Sequence, residues 1–141
     1  ERPREGVVIV RGTSSTNTVV SILDDISSKY NVKIVSAISW ELFDMQDSQY
    51  KSSIIGDQEW ADSMVITNTG LNVMKNWISN RVVADYSLSP DWDNRWRTGG
   101  SLEQIIDEAH LSPRWVMKSI AKFATDRSKR LERLKQEIPE K

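Results

Sequence analysis

Cysteine is absent from the 141 residues, which removes disulfides, thiolate metal sites and cysteine nucleophiles from consideration and fits a reducing compartment. Histidine occurs once, at His110, so a multi-histidine metal site is excluded, and nothing beside it in sequence forms a nucleophile–base pair. The total charge favours no polyanionic or polycationic partner, because 19 basic residues face 20 acidic ones for a net of -1. No apolar run approaches the roughly 18 residues needed to span a bilayer, and the opening Glu1-Arg2-Pro3-Arg4-Glu5-Gly6 does not read as a secretory signal. These absences lead to the expectation of a soluble, cytoplasmic domain with no nucleic-acid or membrane partner and no bound metal. Glu1 in place of Met adds the expectation that the chain is a piece of a longer protein. Internal repeats and low-complexity tracts are missing too, and the length suits one domain with one core.

What is present alternates between two periods. Val7 to Arg11 is a β-branched run between Gly6 and Gly12, which predicts a buried strand. Val19, Val20, Leu23 and Ile26 recur at helical spacing behind the polar stretch Thr13 to Asn17. Val32 to Ile38 predicts a second strand, and a crossover of this kind pairs two strands in parallel. A helix over Asp47 to Ile55, a third strand over Ser63 to Thr69 and a short helix after Gly70 follow, and Arg81 to Tyr86 reads as a fourth strand. The segment Ser87 to Gly100 predicts a loop. Ser101 with Gln104 forms a capping box, and Ser112 before Pro113 starts the last long helix. From Asp126 the residues are mostly charged. Residues 1–126 are therefore expected to form the α/β domain and 127–141 a charged helical tail that projects or frays.

The chemical signals are sparse. The turn Gly12-Thr13-Ser14 could present backbone N–H groups and hydroxyls to an anion at a helix start, or simply cap that helix; it lacks both the dinucleotide and the P-loop glycine patterns. His110 falls at a helix end, where an imidazolium would suit the dipole. Asp91 to Trp96 begins like a calcium loop, but Arg95 and Trp96 occupy positions that need a ligand and a glycine; an internal Asp–Arg pair is expected instead. Asp44, Asp47, Asp57, Glu59 and Asp62 read as surface charges, and Arg127, Lys129, Arg130, Arg133 and Lys135 as a solvated helical face. Six tryptophans serve cores and interfaces equally well. Trp40 and Phe43, just past a strand end, are candidates for either.

Ser39-Trp40-Glu41-Leu42-Phe43-Asp44, followed by Gln46, Asp47, Tyr50, Lys51 and Ser53, resembles the segment of transketolases in which a strand ends in Ser-Trp-Glu-Leu-Phe and Asp-x-Gln-Asp-x-x-Tyr-Lys-x-Ser follows. Val7 to Gly12, Ser63 to Gly70 and Asn94 to Ala124 are similar to the neighbouring strands and closing helices of the same C-terminal domain. The family's Thr-Gly-Ser-Glu turn reads Arg11-Gly12-Thr13-Ser14 here, and its Phe-Gly-Ala-Ser loop reads Trp96-Arg97-Thr98-Gly99. Deoxyxylulose phosphate synthases and the first component of pyruvate dehydrogenase carry related domains.

The resemblance implies a three-layer α/β fold with a mixed, mostly parallel five-stranded sheet. It also implies a parent enzyme that transfers two-carbon ketol units between sugar phosphates. Thiamine diphosphate and magnesium would sit in the parent's N-terminal and middle domains, held by a Gly-Asp-Gly to Asn motif and a glutamate. This chain has no Gly-Asp-Gly. It is thus expected to bind no cofactor, to hold no catalytic residue, to be inactive alone, and to pack on those two domains in a homodimer. A stand-alone interaction or anion-binding module, using Gly12, Thr13 and Ser14, is the alternative.

Overall fold

The computed structural model describes residues 2–97 and 99–137. Thr98 of the expected loop, and Ile138 with the rest of the tail to residue 141, lie outside the described residues.

Strand β1 (Gly6–Arg11) lies between β2 (Val32–Ser36) and β3 (Ser63–Thr67) in a parallel sheet of three strands, ordered β2-β1-β3. Val8 is level with Ile34 on one side and with Met64 on the other. Every residue of β3, and all of β1 except Arg11, is buried, as expected where helices cover both faces of a parallel sheet. Alternation splits the strands between two cores. Val8, Val10, Met64 and Ile66 pack with α1 (Thr13–Ser21), α2 (Leu23–Lys29) and α8 (Pro113–Thr125) through Val19, Ile26, Val116, Ile120 and Phe123. Val7, Ile9 and Val65 pack on the other face with Ile55, Met74, Trp77 and Val83.

Between β2 and β3 run three short helices: α3 (Trp40–Asp44), α4 (Ser48–Ile54) and α5 (Asp57–Ala61). A tight 3-10 helix, Leu71–Trp77, follows β3. The capping box is formed at α7 (Leu102–Glu108): Gln104 N–H donates to Ser101 Oγ at 3.3 Å, and Ser101 N–H donates to Gln104 Oε1 at 2.9 Å. Among the described residues no helix is long and apolar enough to cross a membrane.

The structure corrects two sequence expectations. Arg81 to Tyr86 is a helix, α6 (Arg81–Tyr86), in place of the fourth strand. Asn80 caps it by accepting from Val83 N–H at 3.0 Å, and the Val82-Val83 pair fits one side of a helix as readily as a strand. Sheet pairing beyond β3 is reduced to one parallel bridge, Ile66 with Leu88. Pro90, two residues on, has no N–H to continue it. Three strands plus this bridge replace the expected five among the described residues.

The second correction concerns the charged segment, which neither projects nor frays over α9 (Arg127–Glu137). Arg130 is 1% exposed and donates to Asp62, to the Phe123 carbonyl at 3.0 Å and to the Glu5 carbonyl at 2.7 Å. Arg127 reaches the same Asp62 at 3.1 Å, Arg133 reaches Asp85 at 2.6 Å, and Leu134 is buried. Asp62 is accordingly a buried counter-ion and not a surface charge. The guanidinium also lies 3.6 Å from the Phe123 ring centre, so α9 is held by charge, stacking and backbone bonds together.

Candidate functional site

All three strands run the same way, so their carboxyl ends meet at one edge and bring together residues far apart in sequence. There Arg11, Gly12, Thr13 and Thr16 after β1, Ser36, Ala37 and Ile38 after β2, and Asn68 and Thr69 after β3 line a cavity of about 450 Å³. Gly12 has φ 96, a left-handed value that glycine adopts without strain. A Cβ there would also meet the end of the Asn68 side chain and push it aside. That side chain donates to Ser14 Oγ at 2.9 Å, so the expected Gly12-Thr13-Ser14 turn is spanned by an amide from the next strand. Arg11, Ser36 and Asn68 were not singled out from the sequence. Only the position of Arg11 at the end of an apolar strand hinted at a role.

Beside this cavity stands the segment that resembles transketolase. Ser39 Oγ accepts from Leu42 N–H at 3.3 Å to start α3, and Asp47 accepts from Tyr50 N–H at 2.8 Å to start α4. The Glu41 carboxyl is held below its ordinary value by a backbone hydrogen bond and by the Ser39 hydroxyl 2.9 Å away. Trp40 and Phe43, three apart on α3, turn inward and are half-buried. They meet Trp60 and Trp77 in a cluster of four rings; Trp40 lies 5.2 Å from Trp77 at 85°, and Phe43 lies 5.4 Å from it. Several outward residues of the same stretch are apolar as well, among exposed polar ones such as Glu41, Asp44 and Gln46: Ile38 is 83% exposed, Leu42 63%, Met45 80% and Tyr50 48%. Ile38, Leu42 and Tyr50 line a groove of about 400 Å³ whose inner wall is Phe43, Ile54 and Trp77.

A third grouping involves His110, which follows the end of α7 with φ 60. Its ring is sandwiched between Trp92 at 4.1 Å and Trp115 at 3.8 Å, both near parallel. The imidazolium expected at this helix end is disfavoured, because burial lowers the His110 pKa. Asp93 and Asp107 oppose that shift, while Arg97 and Arg114 reinforce it. Asp93 pairs with both Arg95 and Arg97 at 2.9 Å, as the Asp–Arg expectation for this loop had it. Asp107 is held well below the usual carboxylate range by Arg114, with Ser112 adding to the effect. An unfolded chain with an ordinary histidine binds its proton first as pH falls through about 6.5. Stability from this site is therefore complete above pH 6.5 and declines below it. Urea midpoints at pH 7.5 and 5.5 test this; the acid loss should shrink in His110→Asn, a residue that also tolerates positive φ.

The expected surface carboxylates Asp44, Asp47 and Asp57 are exposed, whereas Glu59 pairs with Lys33 at 2.8 Å. Among the described residues no group of three or more His, Asp or Glu side chains could hold a metal ion. Among the described residues no carboxylate lines the cavity at the strand ends, a poor fit to a magnesium-bound diphosphate, which is usually held through one or two protein carboxylates. The chain matches no protein-family model and no curated protein sequence.

Proposed function

We propose that this chain is the C-terminal domain of a transketolase-like enzyme, a unit that packs on cofactor-bearing N-terminal and middle domains and supports a cytoplasmic homodimer. The parent transfers two-carbon ketol units between sugar phosphates. Thiamine diphosphate and magnesium belong to the other domains, and no residue here is assigned to catalysis. One observation carries the reading: the segment that resembles transketolase exposes Ile38, Leu42, Met45 and Tyr50, of which Ile38, Leu42 and Tyr50 line one groove. Exposed apolar residues clustered at a groove suit a docking face, and the backing of that groove by a ring cluster suits a preformed one.

The test is to isolate the polypeptide from its own cell and determine its intact mass, its stable partners and its thiamine diphosphate content. A species that contains Gly-Asp-Gly and the cofactor is expected; ketol transfer by the pure 141-residue chain would overturn the reading. In the assembled enzyme, Leu42→Asp with Met45→Asp should abolish association between this domain and the others. The fold itself should shift by no more than about 0.5 kcal/mol, as for exposed positions generally. Gel filtration and thermal melts of the variant separate the two effects. Association at wild-type strength would remove α3 as the docking element.

A further inference from the structure

Arg11 lines the cavity at the strand ends, and the nearest carboxylate to act on its charge, Glu41 on α3, lies outside that lining. Among the described residues the Arg11 guanidinium makes one hydrogen bond, from Nη1 to the Met74 thioether at 3.7 Å. None of the ion pairs among the described residues includes it. A part-buried guanidinium whose one acceptor among the described residues is sulfur gives up solvation with little return. Its planar fork is shaped for two oxygens of one oxyanion. Thr13, Thr16, Ser36 and Thr69 also line the cavity, the Thr69 hydroxyl being shared with Thr67 at 2.9 Å, and among the described residues no carboxylate is part of that lining. The start of α1 is not itself the receptor, since Asn68 already lies across Gly12 and Ser14.

Position and size agree with this. The chain leaves β1 toward β2 on one side, and later returns to place β3 on the other. Ligands of open parallel sheets settle in the crevice outside such a reversal, at the carboxyl ends. The volume of about 450 Å³ lies within the range of small-molecule sites and leaves room beyond a single oxyanion for a short hydroxylated chain. A phosphoryl group has three terminal oxygens, two for the arginine fork and one for a threonine hydroxyl, where a carboxylate has only two. We propose that this crevice binds a small polyol phosphate monoester, clamped by Arg11. The site is independent of the domain assignment above.

The test is an amide-shift titration of the full chain with glycerol 3-phosphate, inorganic phosphate, glycerol and glycerate in parallel. Glycerol 3-phosphate should give saturable shifts confined to Arg11–Thr16, Ser36–Ile38 and Asn68–Thr69. Inorganic phosphate should move the same amides at higher concentration, glycerol should move none, and glycerate should bind more weakly than the phosphate ester. Arg11→Gln should raise the Kd at least roughly tenfold, the scale of one charge-assisted hydrogen bond. Wild-type titration alone decides if that variant does not fold. No saturable shift at tens of millimolar, shifts unaffected by Arg11→Gln, or equal binding of glycerate would each overturn the proposal. None of these outcomes bears on ketol transfer or domain docking.

Discussion

Arg130→Met should lower the unfolding free energy by about 3 kcal/mol, measured by urea denaturation, because it leaves Asp62 buried with half its partners gone. Removing one member of a buried pair typically costs about 3–5 kcal/mol. The lower figure applies since Arg127 still reaches Asp62 at 3.1 Å. Methionine fills a similar volume and can still lie on Phe123, so the loss isolates the charge and its hydrogen bonds from packing. The carbonyls of Glu5 and Phe123 each lose a donor, which adds to the deficit. Combining Arg130→Met with Asp62→Leu should recover most of the loss, because no uncompensated charge then remains inside. Arg133→Ala is the contrast: its pair with Asp85 is 41% and 55% exposed and screened by solvent, and its removal should leave the urea midpoint nearly unchanged. A change under about 1 kcal/mol in Arg130→Met would mean that α9 is held by Leu134 and its apolar neighbours alone.

This ion pair also shows where sequence reading fails. Asp62 and Arg130 are 68 residues apart, and each stands among like-looking charges that remain solvated. Burial selects one arginine from a basic run through tertiary placement, which no local pattern encodes. The three strands, the capping box at Ser101 and the Pro113 helix start were legible because each rests on local chemistry: β-branched runs, a reciprocal side-chain cap, and a proline placed where its missing N–H is harmless. Val82 and Val83 misled for the opposite reason, since two adjacent apolar residues carry no period. Legibility of the candidate sites follows the same line. Gly12 stood out as a turn residue, yet its φ and its contact with Asn68 arise only when β1 and β3 are paired. Arg11, Ser36 and Thr69 converge through parallel topology, so their meeting is a property of the sheet.

Trp77→Ala should cost about 3 kcal/mol, near the lower end for removing a large buried aromatic. Trp77 is 3% exposed and is the best-buried member of the ring cluster, touching Trp40, Phe43 and Trp60 at centroid distances of 5.2, 5.4 and 5.7 Å. Its three ring neighbours are half-buried and can close part of the void, which keeps the loss from the upper end of the range. Trp77→Phe should cost less, because a ring in the same place retains edge contacts with Trp40. Near-ultraviolet circular dichroism should lose the coupled tryptophan signal in Trp77→Ala while the far-ultraviolet helix signal persists below the melting temperature. The consequence reaches the surface. Leu42 faces outward on a short helix whose Trp40 and Phe43 are seated against Trp77 and whose start is capped by Ser39. Unseating them should weaken docking of α3 even at temperatures where the domain is fully folded. Docking unchanged in folded Trp77→Ala would separate the ring cluster from the interface and leave it a purely structural core.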